Sequence, residues 1–169
     1  NNKVSNMPDV IHHRDSGYIK VLKKDFFLIL NCSEISPSYQ PGHAHADSLS
    51  LELSYLNQRI FVNLGTSVYE MSQRREYERG TRSHSTLEVN GKNSSEIWSS
   101  FRVGRRAQIM QTNISKKDHF TEIICEHNGY RFIERNLKHT RVIKISESSV
   151  HIIDKLNSQK HKGISRFHL

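Results

Sequence analysis

Pro41-Gly42-His43-Ala44-His45-Ala46-Asp47-Ser48-Leu49-Ser50-Leu51-Glu52-Leu53-Ser54-Tyr55 is the stretch from which the rest of the chain is read. From Ser48 onward apolar and polar residues alternate, the period-two pattern of a β-strand with one buried face. Counted back in that phase, Tyr55, Leu53, Leu51 and Leu49 share a face with Asp47, His45 and His43. The alternation therefore predicts one extended segment with two imidazoles and a carboxylate at the end of an apolar face. Side chains two apart point in a common direction, so a strand can offer two ligands to one metal ion. Polar groups on a buried face need partners, and a metal is one such partner. The other reading of a lone His-x-His is two loop histidines in ordinary hydrogen bonds.

Outward from this stretch the chain reads as short strands. Residues 1–16 are polar and patternless, a linker or domain start, and the domain proper is placed at 17–169. Gly17–Leu22 and Phe26–Leu30 form a predicted hairpin around Lys23-Lys24-Asp25. Asn57-Gln58 turns the chain into a strand at 59–64. Residues 66–83 are a long polar loop with a short helix from Tyr69 to Arg79, and long loops in compact domains often carry function. A strand at Ser85–Val89 closes on Asn90-Gly91, a favoured hairpin pair, and 92–104 reads as loop. Strands follow at 106–112, 120–126, 140–146 and 150–156. The end at 166–169 is still strand-like, which suggests a cut inside the last sheet. Many short strands at near-regular spacing predict an all-β fold, an antiparallel β-sandwich.

Composition narrows the partners. The 169 residues suit one domain, and no apolar run is long enough for a transmembrane helix. A net charge of +8 points to a polyanion, either acidic polysaccharide or nucleic acid. The basic residues are scattered without a nucleic-acid motif, which disfavours the latter. Cys32 and Cys125 are either free buried thiols or one disulfide. His12-His13, His119, His127, His139 and His151 read as surface residues, Arg74-Arg75 and Arg105-Arg106 as solvated charge, and Trp98 as packing. Arg79 and Arg82 flank His84 and are candidate substrate-binding residues for a carboxylate.

Three pieces suggest a metal site: His45 before one strand, Asn63 near the end of the next, and His84 before a third. Zinc takes about four N, O or S donors from neighbouring elements. Asn63 is a poor donor; Asp47 is a better one, a step deeper. Gly42-His43-Ala44-His45-Ala46-Asp47-Ser48-Leu49-Ser50, Val62-Asn63-Leu64-Gly65-Thr66, Thr81-Arg82-Ser83-His84-Ser85-Thr86, and Asn90-Gly91-Lys92 with Ser95-Glu96-Ile97-Trp98 together resemble the heparinase II/III-like family of polysaccharide lyases. The resemblance runs from about Gly17 to Arg106.

It implies the β-sandwich domain that follows an α/α toroid in those enzymes, the toroid itself being absent from this chain. It implies that His43 is the active-site histidine, that His45 and His84 are zinc ligands, and that Tyr69 or Tyr77 is a catalytic tyrosine near the substrate. Asn63 falls where the family's third ligand is usually Asp. The departure removes a negative charge and implies a weakened site completed by Asn oxygen, Asp47 or water. The implied substrate is a uronate-bearing glycan such as a glycosaminoglycan or alginate. The implied reaction is β-elimination, the implied setting the periplasm or cell exterior, and the chain alone is expected to be inactive. Three other readings compete: a non-catalytic carbohydrate-binding or structural zinc sandwich, a basic nucleic-acid module, and a cupin-like metal enzyme. The cupin reading is disfavoured because Glu52 alternates to the face opposite His45.

Overall fold

The computed structural model describes residues 9–37 and 39–169. Its first sheet is a five-stranded antiparallel meander in chain order: β1 (Val10–His13), β2 (Tyr18–Lys23), β3 (Phe26–Asn31), β4 (Leu51–Tyr55) and β5 (Gln58–Phe61). The helix α1 (Gln73–Arg79) and three short strands follow, β6 (Leu87–Val89), β7 (Ile97–Trp98) and β8 (Arg102–Val103). The second sheet holds β9 (Ile109–Lys116), β10 (Thr121–His127), β11 (His139–Ile145) and β12 (Val150–Leu156), in the order β12-β11-β10-β9. β13 (Gly163–Ser165) pairs antiparallel with β6, and β7 pairs with β8.

The two larger sheets share one core. Ile19, Val21, Leu28, Leu30, Leu51 and Leu53 come from the first sheet; Ile123, Cys125, Ile143 and Ile145 come from the second. All obey the period of two within their strands, which is why β-branched and leucine side chains at alternate positions specify a sandwich. Cys32 and Cys125 close a disulfide within this core, with Cα atoms 6.6 Å apart. It joins the end of the first sheet to β10, resolving the choice the sequence left open.

The structure departs from the sequence reading where the chain bends. β1 lies inside the stretch read as patternless; it pairs with β2 as the sheet's edge, while residues 1–8 lie outside the described residues. The His43–Tyr55 stretch is not one strand. A short 3-10 turn spans Pro41–His43, and Leu49 has a positive φ of 59°, so β4 begins only at Leu51. Such a backbone costs a leucine about 1–2 kcal/mol. The cost is offset because Leu49 is fully buried, donates to Asn31 O at 2.9 Å, and accepts from Arg141 at 2.6 Å. Consequently His43, His45 and Asp47 do not extend the buried face of β4. At the other end Tyr55 keeps the phase of Leu53, lies opposite Phe26 in the ladder and stacks on it, while β4 and β5 shift register between Leu53 and Ser54. Asn90 and Gly91 do form a left-handed turn, but β6 returns only a single bridge to Lys92 and takes its strand partner from β13.

Candidate active site

The histidine loop is held from below by two arginines. α1 is capped by Ser72, whose hydroxyl accepts from the Arg75 amide, and it presents Arg75 and Arg79 four residues apart on one face. Both side chains are fully buried. Arg79 Nε donates to Ala44 O at 2.9 Å and its Nη2 to Arg102 O at 3.2 Å. Arg75 donates to Thr66 Oγ1 at 3.0 Å and to Gly42 O at 3.5 Å. Arg75 was read as solvated charge and Arg79 as a substrate contact. Burial gives both another task, fixing the backbone of the 42–44 segment through carbonyls. Thr81 and Ser94 hydroxyls secure Ala46 O from the other side.

That anchoring leaves His43 exposed at the end of the 3-10 turn. Tyr69 packs edge-on against it, ring centres 5.9 Å apart, and Arg75 lies 5.2 Å from the Tyr69 ring. Tyr77 instead sits beneath the exposed Arg82, whose guanidinium is 4.9 Å from its ring. Of the two candidate tyrosines, Tyr69 is the one against His43. His43, His45 and Asp47 line one wall of a cavity of about 620 Å³, with Arg14, Tyr18 and Asn31 among the facing residues. Asp47 accepts from Asn31 Nδ2 at 3.0 Å, and loss of water still pushes its carboxyl up to about 6.

His45 and His84 meet behind His43. His45 Nδ1 lies 3.2 Å from His84 Nε2, and Thr66 Oγ1 lies 3.3 Å from His45 Nε2. Burial, then the charges of Arg75 and Arg79, holds His45 down to about 4. Burial, then His45 and His168, holds His84 down to about 3. Both are therefore neutral near pH 7, the form that binds metal. Two nitrogens bound to one tetrahedral zinc would lie about 3.3 Å apart, so the observed spacing suits a shared cation as well as a hydrogen bond.

Asn63 stands differently. Its side-chain oxygen accepts from Gly65 N at 2.9 Å, and the residue lines a cavity of about 50 Å³ with Asp47, Tyr18 and Glu52. Among the described residues no three His, Cys, Asp or Glu side chains form a ready-made metal cage.

Four buried side-chain atoms have no hydrogen-bond partner among the described residues: Arg75 Nε, Arg79 Nη1, His84 Nδ1 and His168 Nε2. All belong to this one neighbourhood; the backbone N–H of His168 is tied to Ser85 Oγ, next to His84. Buried polar groups are ordinarily satisfied, so such a concentration marks a place built for something besides stability.

A second buried cluster was missed by the sequence reading, which put His127 and His139 on the surface. Both are fully buried, on the same faces of β10 and β11 as Cys125 and Ile143. Their position in the strand alternation was the available signal. Gly129 N donates to His127 Nδ1, so His127 Nε2 carries the proton toward His139 Nδ1 at 3.0 Å. His139 Nε2 then donates to Asp154 at 2.8 Å. Arg141 grips the same carboxylate with two bonds of 2.8 Å and reaches Leu49 O and Ser85 O at 2.6 and 2.7 Å. The second sheet thus holds the backbone on both sides of the site.

Other residues read as surface or packing also moved. Arg105 is pinned to Ser94 O and Gly129 O and stacks on Phe132. Trp98, read as packing, is 46% exposed.

A heparan sulfate lyase HepC mutant from Pedobacter heparinus superposes with a TM-score of 0.66 at 18% identity, over 87% of this chain and 22% of that one. The HepC lyase itself gives 0.62 at 19% identity, over 83% and 21%. A heparinase III, the BT4657 gene product, gives 0.65 at 16%, over 89% and 22%. The chain thus spans about a fifth of the length of these solved lyases. No curated protein matches it. The family model described as heparinase II/III-like, C-terminal, matches residues 7–169, and the chain belongs to that family.

Proposed function

We propose that this chain is the β-sandwich part of a polysaccharide lyase that cleaves uronate-containing anionic glycans by β-elimination. The observation that carries the reading is the placement of His43, solvent-facing on the cavity wall, over a loop clamped by two buried arginines with unspent hydrogen-bonding capacity. In β-elimination the C5 proton leaves to a base and the C4–O bond breaks, forming a C4=C5 double bond while the leaving oxygen gains a proton. His43 suits the base or the group that neutralises the sugar carboxylate, and Tyr69 beside it suits proton transfer. Arg82 is the exposed cation for the glycan, while Arg79 positions the loop.

Zinc would be held by His45 and His84, with Asn63 oxygen or water as weaker further donors. It would supply local positive charge and rigidity. The α/α toroid, supplied by the rest of the protein, would complete the cleft, so these residues alone would be inactive. The Cys32–Cys125 disulfide favours an oxidising compartment, the periplasm or cell exterior.

The test is a lyase assay of the full-length protein on heparan sulfate and alginate, following the ultraviolet absorbance of unsaturated uronate. His43→Ala should lower kcat by about 10²–10⁴-fold with the fold intact. Retained activity in that variant would overturn the assignment. Elemental analysis should find zinc in the wild type and none in His45→Ala or His84→Ala.

A further inference from the structure

Among the described residues Arg102, in the hairpin packed beside the histidine loop, and Arg82, just before His84, form no ion pair. Arg102 lies opposite Trp98 in the β7–β8 hairpin, with its guanidinium 4.9 Å from the indole ring. Arg82 lies at the same distance from the Tyr77 ring. Arg59, Arg74, Arg141 and Arg166, by contrast, form ion pairs. Trp98, Phe101 and Tyr77 are each nearly half exposed. The hairpin is fixed beside the histidine loop, because Arg79 bonds Arg102 O and the Phe101 ring lies against Gly42. Arg75, beneath Tyr69, is also 5.8 Å from the Phe101 ring.

An exposed aromatic face offers a platform for the C–H face of a sugar ring, and a guanidinium beside it can take a carboxylate or sulfate through two parallel bonds. Covering this surface with another protein domain would strand two charges unless that domain brought carboxylates to meet them. We propose that Trp98 and Arg102, with Phe101 and the Arg82–Tyr77 stack, bind the acidic sugar residues that flank the one reacting at His43. This rests on the lyase reading above.

Kinetics of the full-length protein on heparan sulfate and alginate test it. Arg102→Ala and Trp98→Ala should each raise KM roughly tenfold with kcat within about twofold, the signature of binding shared by ground and transition states. Arg102→Lys should recover part of the loss. Lys117→Ala, in the β9–β10 turn, removes the same charge elsewhere and should leave KM alone. Unchanged KM in both hairpin variants, with His43→Ala inactive, would overturn this inference and leave the lyase reading standing. A fall in thermal stability with unchanged KM would overturn it in favour of a domain contact. No cleavage of either glycan by the wild-type protein would overturn the lyase reading and this inference together.

Discussion

Among the described residues two imidazole pairs have nearly equal spacing, His127–His139 fully buried and His45–His84 partly so, and they differ in how their outer nitrogens are used. In His127–His139 every ring nitrogen has a defined role, running from the Gly129 N–H to the Asp154 carboxylate. In His45–His84 the chain ends on an unpartnered Nδ1. The first pair is a finished structural network. The second retains capacity for a ligand, and it sits beside the exposed His43. Histidine pairing by itself therefore says little; the termini of the hydrogen-bond chain separate a strut from a site.

The largest effect should come from breaking the finished network. Asp154→Ala leaves Arg141 buried and uncompensated, and should cost about 3–5 kcal/mol in urea denaturation. A loss under about 1 kcal/mol would mean that the network is not the strut described here. His139→Ala should cost about 1–3 kcal/mol through the stranded His127 and Asp154 groups. His84→Ala, measured with chelator present, should cost clearly less, since its Nδ1 bonds to nothing. Equal losses in the two variants would erase the distinction between the pairs.

Metal should then sharpen it. Zinc at 100 times its dissociation constant should stabilise the wild type by about 2.7 kcal/mol. The same increment should survive in His139→Gln, if folded, and vanish in His84→Ala. Stabilisation of both variants alike would place the metal elsewhere.

Acid should also act on the strut. Burial lowers the pKa of both His127 and His139, so below about 6.5 the unfolded chain takes up protons that the folded chain refuses. Their contribution is complete above that pH and is lost as pH falls, by at most about 1.4 kcal/mol per unit for each histidine. Asp47, raised to about 6, works in the opposite sense over the same window, because the folded state binds its proton first. Melting temperature should accordingly fall from pH 7 to pH 5, with a shallower slope in His139→Gln. Equal slopes in the wild type and His139→Gln would show that His139 does not supply this pH dependence.

Local pattern was enough for much of this. The alternation in β2, β3, β10, β11 and β12 specifies strands and their buried faces, because a side-chain period of two is a property of the backbone itself. The candidate site was marked by the resemblance of the segments around His43, His45 and His84 to the heparinase II/III-like family, and not by strand phase, which ends at Leu51. Tertiary contacts decided the rest. The positive φ of Leu49 is tolerable only because Asn31 and Arg141 meet its backbone, and this separates the histidine loop from β4. Arg75 reads as surface charge and Arg79 as a substrate contact until distant carbonyls surround them, nothing local marks Arg141 as the buried partner of Asp154, and Trp98 reads as packing until its hairpin leaves it open to solvent. Burial of a charge or exposure of an indole depends on partners far away in the chain, and a local pattern holds no record of them.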